Sequence, residues 1–205
     1  MDPTPEGTHP PPGPTHTAIL TPTAPTDAHA MHRAIHAATR SNNSRVLWAR
    51  PAPDRLVIRT NGAVDYSELP GAIPVGVVLT VIPQAGEQTR WALVANPCRA
   101  TGPRDPATGR LIGRSKRVPL PEPEWEPWVR RKLAAALDVD QVEHTLLPGW
   151  TGRPRDGRRP ITLTRVAFAG TATVTNQDAL TRLLADGVGP GKAFGCGLLL
   201  VEAER

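Results

Sequence analysis

Cysteine is scarce: Cys98 and Cys196 are the only two among 205 residues. Two cysteines build no disulfide framework, and without CxxC spacing they offer no structural zinc site. Aromatic residues are few as well, two Phe, one Tyr and five Trp, which disfavours an RNA binder built on a base-stacking platform. No apolar run is long enough to span a bilayer, so no membrane partner is expected. The opening MDPTPEGTHPPPGP carries no apolar stretch. No secretion signal is therefore expected, and the free thiols suit a reducing cytoplasm. Acidic residues are outnumbered, 19 against 24 Lys and Arg, for a net charge of +5. That balance permits a nucleic-acid partner without demonstrating one. Lysine itself is nearly missing, with only Lys116, Lys132 and Lys192. The arginine bias, beside so much Ala and Pro, fits genome composition equally well.

What is present is enough apolar residue, 39% of the chain, for one large domain or two small ones. Proline at positions 3, 5, 10, 11, 12 and 14 makes residues 1–14 a disordered tail. Order is expected from a short strand at His16–Leu20. A helix then starts at Thr26 or Asp27 and runs to about Ala38, with Met31, Ile35 and Ala38 as its apolar stripe. SNNS at 41–44 is a loop. Arg45–Arg50 and Arg55–Thr60 alternate as a hairpin, Tyr66–Leu69 is a helical turn, and Val75–Ile82 and Thr89–Asn96 are strands. This β-α-β-β-(short α)-β order fits a ferredoxin-like fold.

The second half repeats the order. It reads as a strand at Lys116–Leu120, a helix over Glu122–Leu137 and a strand at Val142–Leu147. A charged turn at Gly152–Pro160 follows, then strands at Ile161–Phe168 and Gly170–Thr175. A helix capped by Asn176 runs to Leu184, and a strand at Leu198–Glu202 closes the chain. The expected class is α+β: two tandem ferredoxin-like (RRM-like) domains over 15–97 and 116–205. A basic segment, 98–115, connects them, and a glycine-rich loop lies near the C-terminus.

That loop, GVGPGKAFGCGLLL over Gly187–Leu200, is the most specific segment. Its glycines let backbone N–H groups approach an anion, and Lys192 adds a charge. It is not a Walker A loop, because that spacing needs Gly where Asp186 stands and Ser or Thr where Ala193 stands. Phosphate-backbone contact suits it better than ATP; a purely structural loop fits the glycine count as well. His29, His32 and His36 form a second feature, sharing one helical face rotated from the apolar stripe. A histidine near its ordinary pKa can take a proton from a ribose 2′-OH or give one to a leaving 5′-oxygen. Two of them can divide those roles. The same face could instead hold a metal, although no carboxylate or third-ligand motif accompanies it. A plain solvated face is the bland alternative.

The glycine loop closely resembles that of the CasE-type CRISPR repeat-processing endoribonucleases of type I-E Cascade. Ala28–Arg33 (AHAMHR) and Arg45–Trp48 (RVLW), then Trp91–Arg99 (WALVANPCR), Lys116–Leu120 (KRVPL) and Phe168–Val174 (FAGTATV), agree in order and spacing. The resemblance covers residues 16–205. It implies an RNase without metal or cofactor that cuts the repeat transcript at the base of its hairpin and retains the product. Its implied partners are the CRISPR repeat RNA hairpin and other Cascade subunits. The family's catalytic histidine falls on His32, followed by Arg33. Its usual Tyr position holds His29, a departure that makes His29 the candidate second catalytic group. The stretch between first strand and helix, LTPTAPTDA, is short and lacks the family's basic residues. Arg153, Arg155, Arg158 and Arg159 are expected to grip the stem. Lys116 and Arg117 join the basic connecting run, and Gly189, Gly191 and Lys192 are expected to hold backbone phosphate. A non-catalytic hairpin-binding subunit is the alternative.

Overall fold

The computed structural model describes residues 11–40, 45–110, 112, 116–152 and 161–203. Residues 1–10 of the expected tail, the SNNS loop and the arginine turn 153–160 lie outside the described residues. β1 (Thr15–Leu20) alternates as read, burying His16, Ala18 and Leu20 on one face. α1 (Ala28–Ala38) starts where the Asp27 carboxylate accepts from the Ala30 amide at 2.9 Å. It buries Ala28, Met31, Ile35 and Ala38, and beyond its end the Thr39 hydroxyl donates to the Ile35 carbonyl at 2.7 Å. The hairpin β2 (Leu47–Ala52) and β3 (Arg55–Arg59) follows, then a 3-10 turn at Tyr66–Glu68 and β4 (Ala72–Val78). These four strands form an antiparallel sheet in the order β2-β3-β1-β4.

The next strand, β5 (Gln88–Ala95), corrects the sequence reading. It pairs with neither β4 nor β1 but lies between β11 (Val166–Val174) and β12 (Leu199–Ala203) in a second antiparallel sheet. The reason is burial on both faces. Trp91, Leu93 and Ala95 enter the core beneath the helices of the second half, while Val94 packs on Leu47, Ala49 and Val57 of the first. A strand so covered is central, not terminal. Lys116–Leu120, read as the opening strand of the second half, is instead β7 (Lys116–Pro119). All four of its residues are exposed, and among the described residues it pairs with β6 (Cys98–Thr101) alone, because its two charges and its proline leave only Val118 to bury.

α2 (Trp125–Leu133) stops before the expected Leu137, and β8 (Leu137–Leu146) begins there instead. Leu137 and Val139 alternate with exposed Asp138 and Asp140, a period of two that overrides the helical run. β9 (Trp150–Gly152) and β10 (Ile161–Leu163) make a small antiparallel ladder. α3 (Gln177–Asp186) starts at Asn176 as read, the side chain accepting from the Ala179 amide at 2.9 Å. The second sheet has the order β12-β5-β11-β8, so each sheet places its fourth strand beside its first and its second at the far edge.

Arg59 ties the two sheets. Only 4% exposed, it donates to the Leu184 carbonyl at 3.2 Å and the Leu199 carbonyl at 2.8 Å. Burial lowers its guanidinium to about 10, which leaves it charged at neutral pH and suited to the C-terminal end of α3.

Candidate active site

With its apolar stripe committed to the core, α1 turns His29, His32, Arg33 and His36 away from it. A segment more than 150 residues later meets them. Phe194, in the 3-10 turn Lys192–Phe194 of the glycine loop, sets its ring edge-on to His29 with centroids 4.8 Å apart, and 5.9 Å from His32. The His32 and His36 rings are edge-to-face at 4.5 Å. Against His29 also stands Gly152, where a Cβ would come within 2.5 Å of the His29 ring. Thus β9 and the loop both touch His29. Its Nε2 is buried and has no hydrogen-bond partner among the described residues.

His32 is half-buried. Burial holds its pKa below the ordinary histidine value, and the charges of His36, His29 and Arg33 push the same way. At neutral pH it is therefore mainly the uncharged imidazole, able to accept a proton.

The loop is anchored from within. The Gly197 amide donates to the Val94 carbonyl at 2.6 Å, and the Val188 amide to the Gly197 carbonyl at 2.8 Å. The Phe194 and Cys196 amides both donate to the Gly191 carbonyl, at 2.8 and 3.3 Å. Gly195 shows why glycine is required: its φ is +76°, and a Cβ would sit 2.6 Å from the Trp48 ring. Cys196 is buried, its thiol pushed up to about 12 mainly by burial, so it fills space rather than reacts.

Sequence reasoning missed the group that aligns β9 with α1. The guanidiniums of Arg165 and Arg50 both lie over the Trp150 indole, 4.6 and 5.8 Å from its ring centroid. Its Nε1 donates to the Thr26 carbonyl at 2.6 Å, one residue before the helix cap, and its ring meets Trp48 edge-on at 5.3 Å. A lone tryptophan in a glycine-rich stretch gives no local sign of this. Phe194 and Gly152 were equally silent as neighbours of a histidine.

The remaining candidates spread outward. Arg33 is exposed on α1, and Lys192 is half-buried in the loop beside Gly189 and Gly191. Lys116 and Arg117 are exposed on β7. The β6–β7 ribbon starts just after Asn96, whose Cβ lies 3.6 Å from the Cβ position of Gly191. Arg153, Arg155, Arg158 and Arg159 lie outside the described residues, although the segment begins directly after Gly152, the residue touching His29. Among the described residues no three His, Cys, Asp or Glu side chains converge to hold a metal ion.

The family model of the CRISPR associated protein matches residues 14–203. The chain belongs to this CRISPR-associated family. Its likeness within the family is to the CasE type. It is 40% identical over 87 residues to the CRISPR system Cascade subunit CasE of Escherichia coli strain K12, a match over 40% of this chain and 41% of that protein. It is 29% identical over 203 residues to the CRISPR-associated endoribonuclease Cse3 of Thermus thermophilus, covering 84% of this chain and 89% of that protein. The solved structure of Thermus thermophilus Cse3 bound to an RNA representing a pre-cleavage complex superposes with a TM-score of 0.69 at 26% identity, over 94% of this chain and 99% of that one. As a CasE-type chain it carries no helix, among the described residues, long and apolar enough to cross a membrane.

Proposed function

We propose that this chain is an endoribonuclease that cuts CRISPR precursor RNA at the base of the repeat hairpin and keeps the mature product within a Cascade complex in the cytoplasm. The observation that carries the reading is the meeting of the α1 histidines with the glycine loop and β9, in a chain of the CasE-type family. The two sheets, each with its fourth strand beside its first, support two ferredoxin-like units dividing between Val78 and Gln88.

In the proposed step, neutral His32 takes the proton of the ribose 2′-OH. The 2′-oxygen attacks the adjacent phosphorus, the P–O5′ bond breaks, and the 5′-oxygen leaves with a proton from an acid for which His29 is the candidate. The products are a 2′,3′-cyclic phosphate and a 5′-OH. No metal and no cofactor enters this step. Arg33, Lys192 and the Gly189 and Gly191 amides hold the backbone, while Arg153, Arg155, Arg158, Arg159, Lys116 and Arg117 grip the stem.

One observation favours the second reading, a hairpin-binding subunit that does not cut. His29 stands where the family usually has Tyr, and its Nε2 is buried beneath Phe194 and Gly152. A 5′-labelled repeat hairpin incubated with excess protein in EDTA decides between them. A single cut by the wild type that is lost in His32→Ala is the expected result. Tight binding without a cut establishes the second reading, and no binding overturns both.

A further inference from the structure

The glycine loop bridges two helices, α2 and α1. At one end Gly189 lies against the Trp128 ring of α2, its Cβ position 3.0 Å from the ring edge. At the other, Phe194 touches His29 of α1. Between these ends stands half-buried Lys192, whose Cγ is 3.2 Å from the Cβ position of Gly197. Two cations that the sequence reading left unused stand beside the ends of this loop's first turn, one by the residue before Gly187 and one by the ring that Gly189 touches. Arg45, exposed just before β2, is ion-paired through Nη1 to Asp186 at 2.9 Å, at the end of α3. Lys132, exposed in the last turn of α2, has its Nζ 6.0 Å from the Trp128 ring centroid.

These groups feel one another. Burial lowers the Lys192 ammonium first, Arg45 lowers it further, Asp186 opposes, and Lys132 again lowers it. Three cations from three separate parts of the chain thus gather along one loop, with the Asp186 carboxylate among them: Arg45 is paired to Asp186 directly before Gly187, Lys132 lies by the Trp128 ring that Gly189 touches, and Lys192 packs on Gly197. In the free protein that crowding is unfavourable, and an arriving polyanion relieves it.

We propose that Lys192, Arg45 and Lys132 form an anion site for consecutive phosphates of the RNA backbone beside the scissile one, with Asp186 holding the Arg45 fork in place and tempering the site's charge. The proposal rests on the RNA-cleaving reading and extends it along the loop, from the histidines to the end of α2. It predicts phosphate contact only, so the contribution is independent of base sequence.

The test uses the full-length protein and a fluorescent repeat hairpin, with affinity measured across a salt series for wild type, Arg45→Ala, Lys132→Ala, the double variant and Asp186→Asn. Each alanine variant is expected to weaken binding several-fold and to flatten the log–log salt slope by about 0.7–0.9 for each phosphate left without its cation. Asp186→Asn is expected to tighten binding, a sign that no loss of folding produces. Charge-preserving Arg45→Lys and Lys132→Arg should keep the wild-type slope. Unchanged affinity and slope in the double variant overturn the proposal, as does weakening with an unchanged slope. Wild-type protein that binds no hairpin overturns the parent reading instead. Calorimetric binding of inorganic tripolyphosphate, abolished in the double variant, then still supports the anion site, and its absence in wild type overturns that too.

Discussion

The two sheet-based units are built alike and covered differently. The second has a helix after its first strand and another after its third, α2 and α3, and the core beneath them gathers twenty buried apolar residues among those described. The first has α1 and, in place of a second helix, only the three-residue turn Tyr66–Glu68. Its core cluster has twelve, one of them Trp150 from the other half of the chain. Its edge strand β4 leaves Ile73, Val75 and Val77 more than half exposed. The proposed chemistry sits on the less covered unit, yet Phe194 and Gly152, which touch its histidines, and Trp150, which bonds just before its helix, all come from the better covered one. The lesson is a division of labour: one unit presents the helix proposed to carry the chemistry, and the other supplies side chains and backbone that pack against it.

The strongest way to sharpen that comparison is His32→Ala. Removing the proposed base should slow single-turnover cleavage by about 10²–10⁴-fold while hairpin affinity stays within a few-fold; retained cleavage would take His32 out of the mechanism. Stability should divide the other way. Leu180, fully buried in the second unit, should cost about 2–5 kcal/mol as Leu180→Ala, whereas Val77→Ser on β4 should stay within about 0.5 kcal/mol. Equal urea midpoints for these two variants would show that the units do not differ as described.

Gly152→Ala probes the seam between them. The new methyl group must displace the His29 ring, so cleavage should fall roughly tenfold for a loss of stability under about 1 kcal/mol. A large unfolding shift with normal cleavage would make Gly152 a fold requirement alone. The mildest test is pH. With His32 as base and its pKa lowered by burial, the cleavage rate should drop as pH falls through a midpoint below about 6.5, where the imidazole gains its proton. A rate that declines on raising the pH through that midpoint would assign His32 the acid role.

Much of this was legible residue by residue. Asp27 and Asn176 announce their helices through side-chain caps, and Met31, Ile35 and Ala38 repeat at helical spacing. The β2–β3 hairpin is legible as two strands about a Pro-containing turn, but the expected alternation fails, because Trp48, Leu56 and Ile58 are buried on one face and Leu47, Ala49 and Val57 on the other. The histidine face and the glycine loop both stood out as candidates. That they touch was not visible, because Phe194 and His29 are separated by most of the chain and neither carries a mark of the other.

The sequence by itself determined the local elements, the chemistry on each and membership of a family with a distinctive loop, since caps, periodicity and motif spacing are written within a few residues. Only the tertiary structure decided that β5 belongs to the second sheet, that Arg59 bonds carbonyls of α3 and β12, and that Trp150 joins the first unit's core. Each of these depends on what covers a residue from a distant part of the chain. Burial on two faces, and the need to pair polar groups inside, select such neighbours only once all the surfaces are assembled.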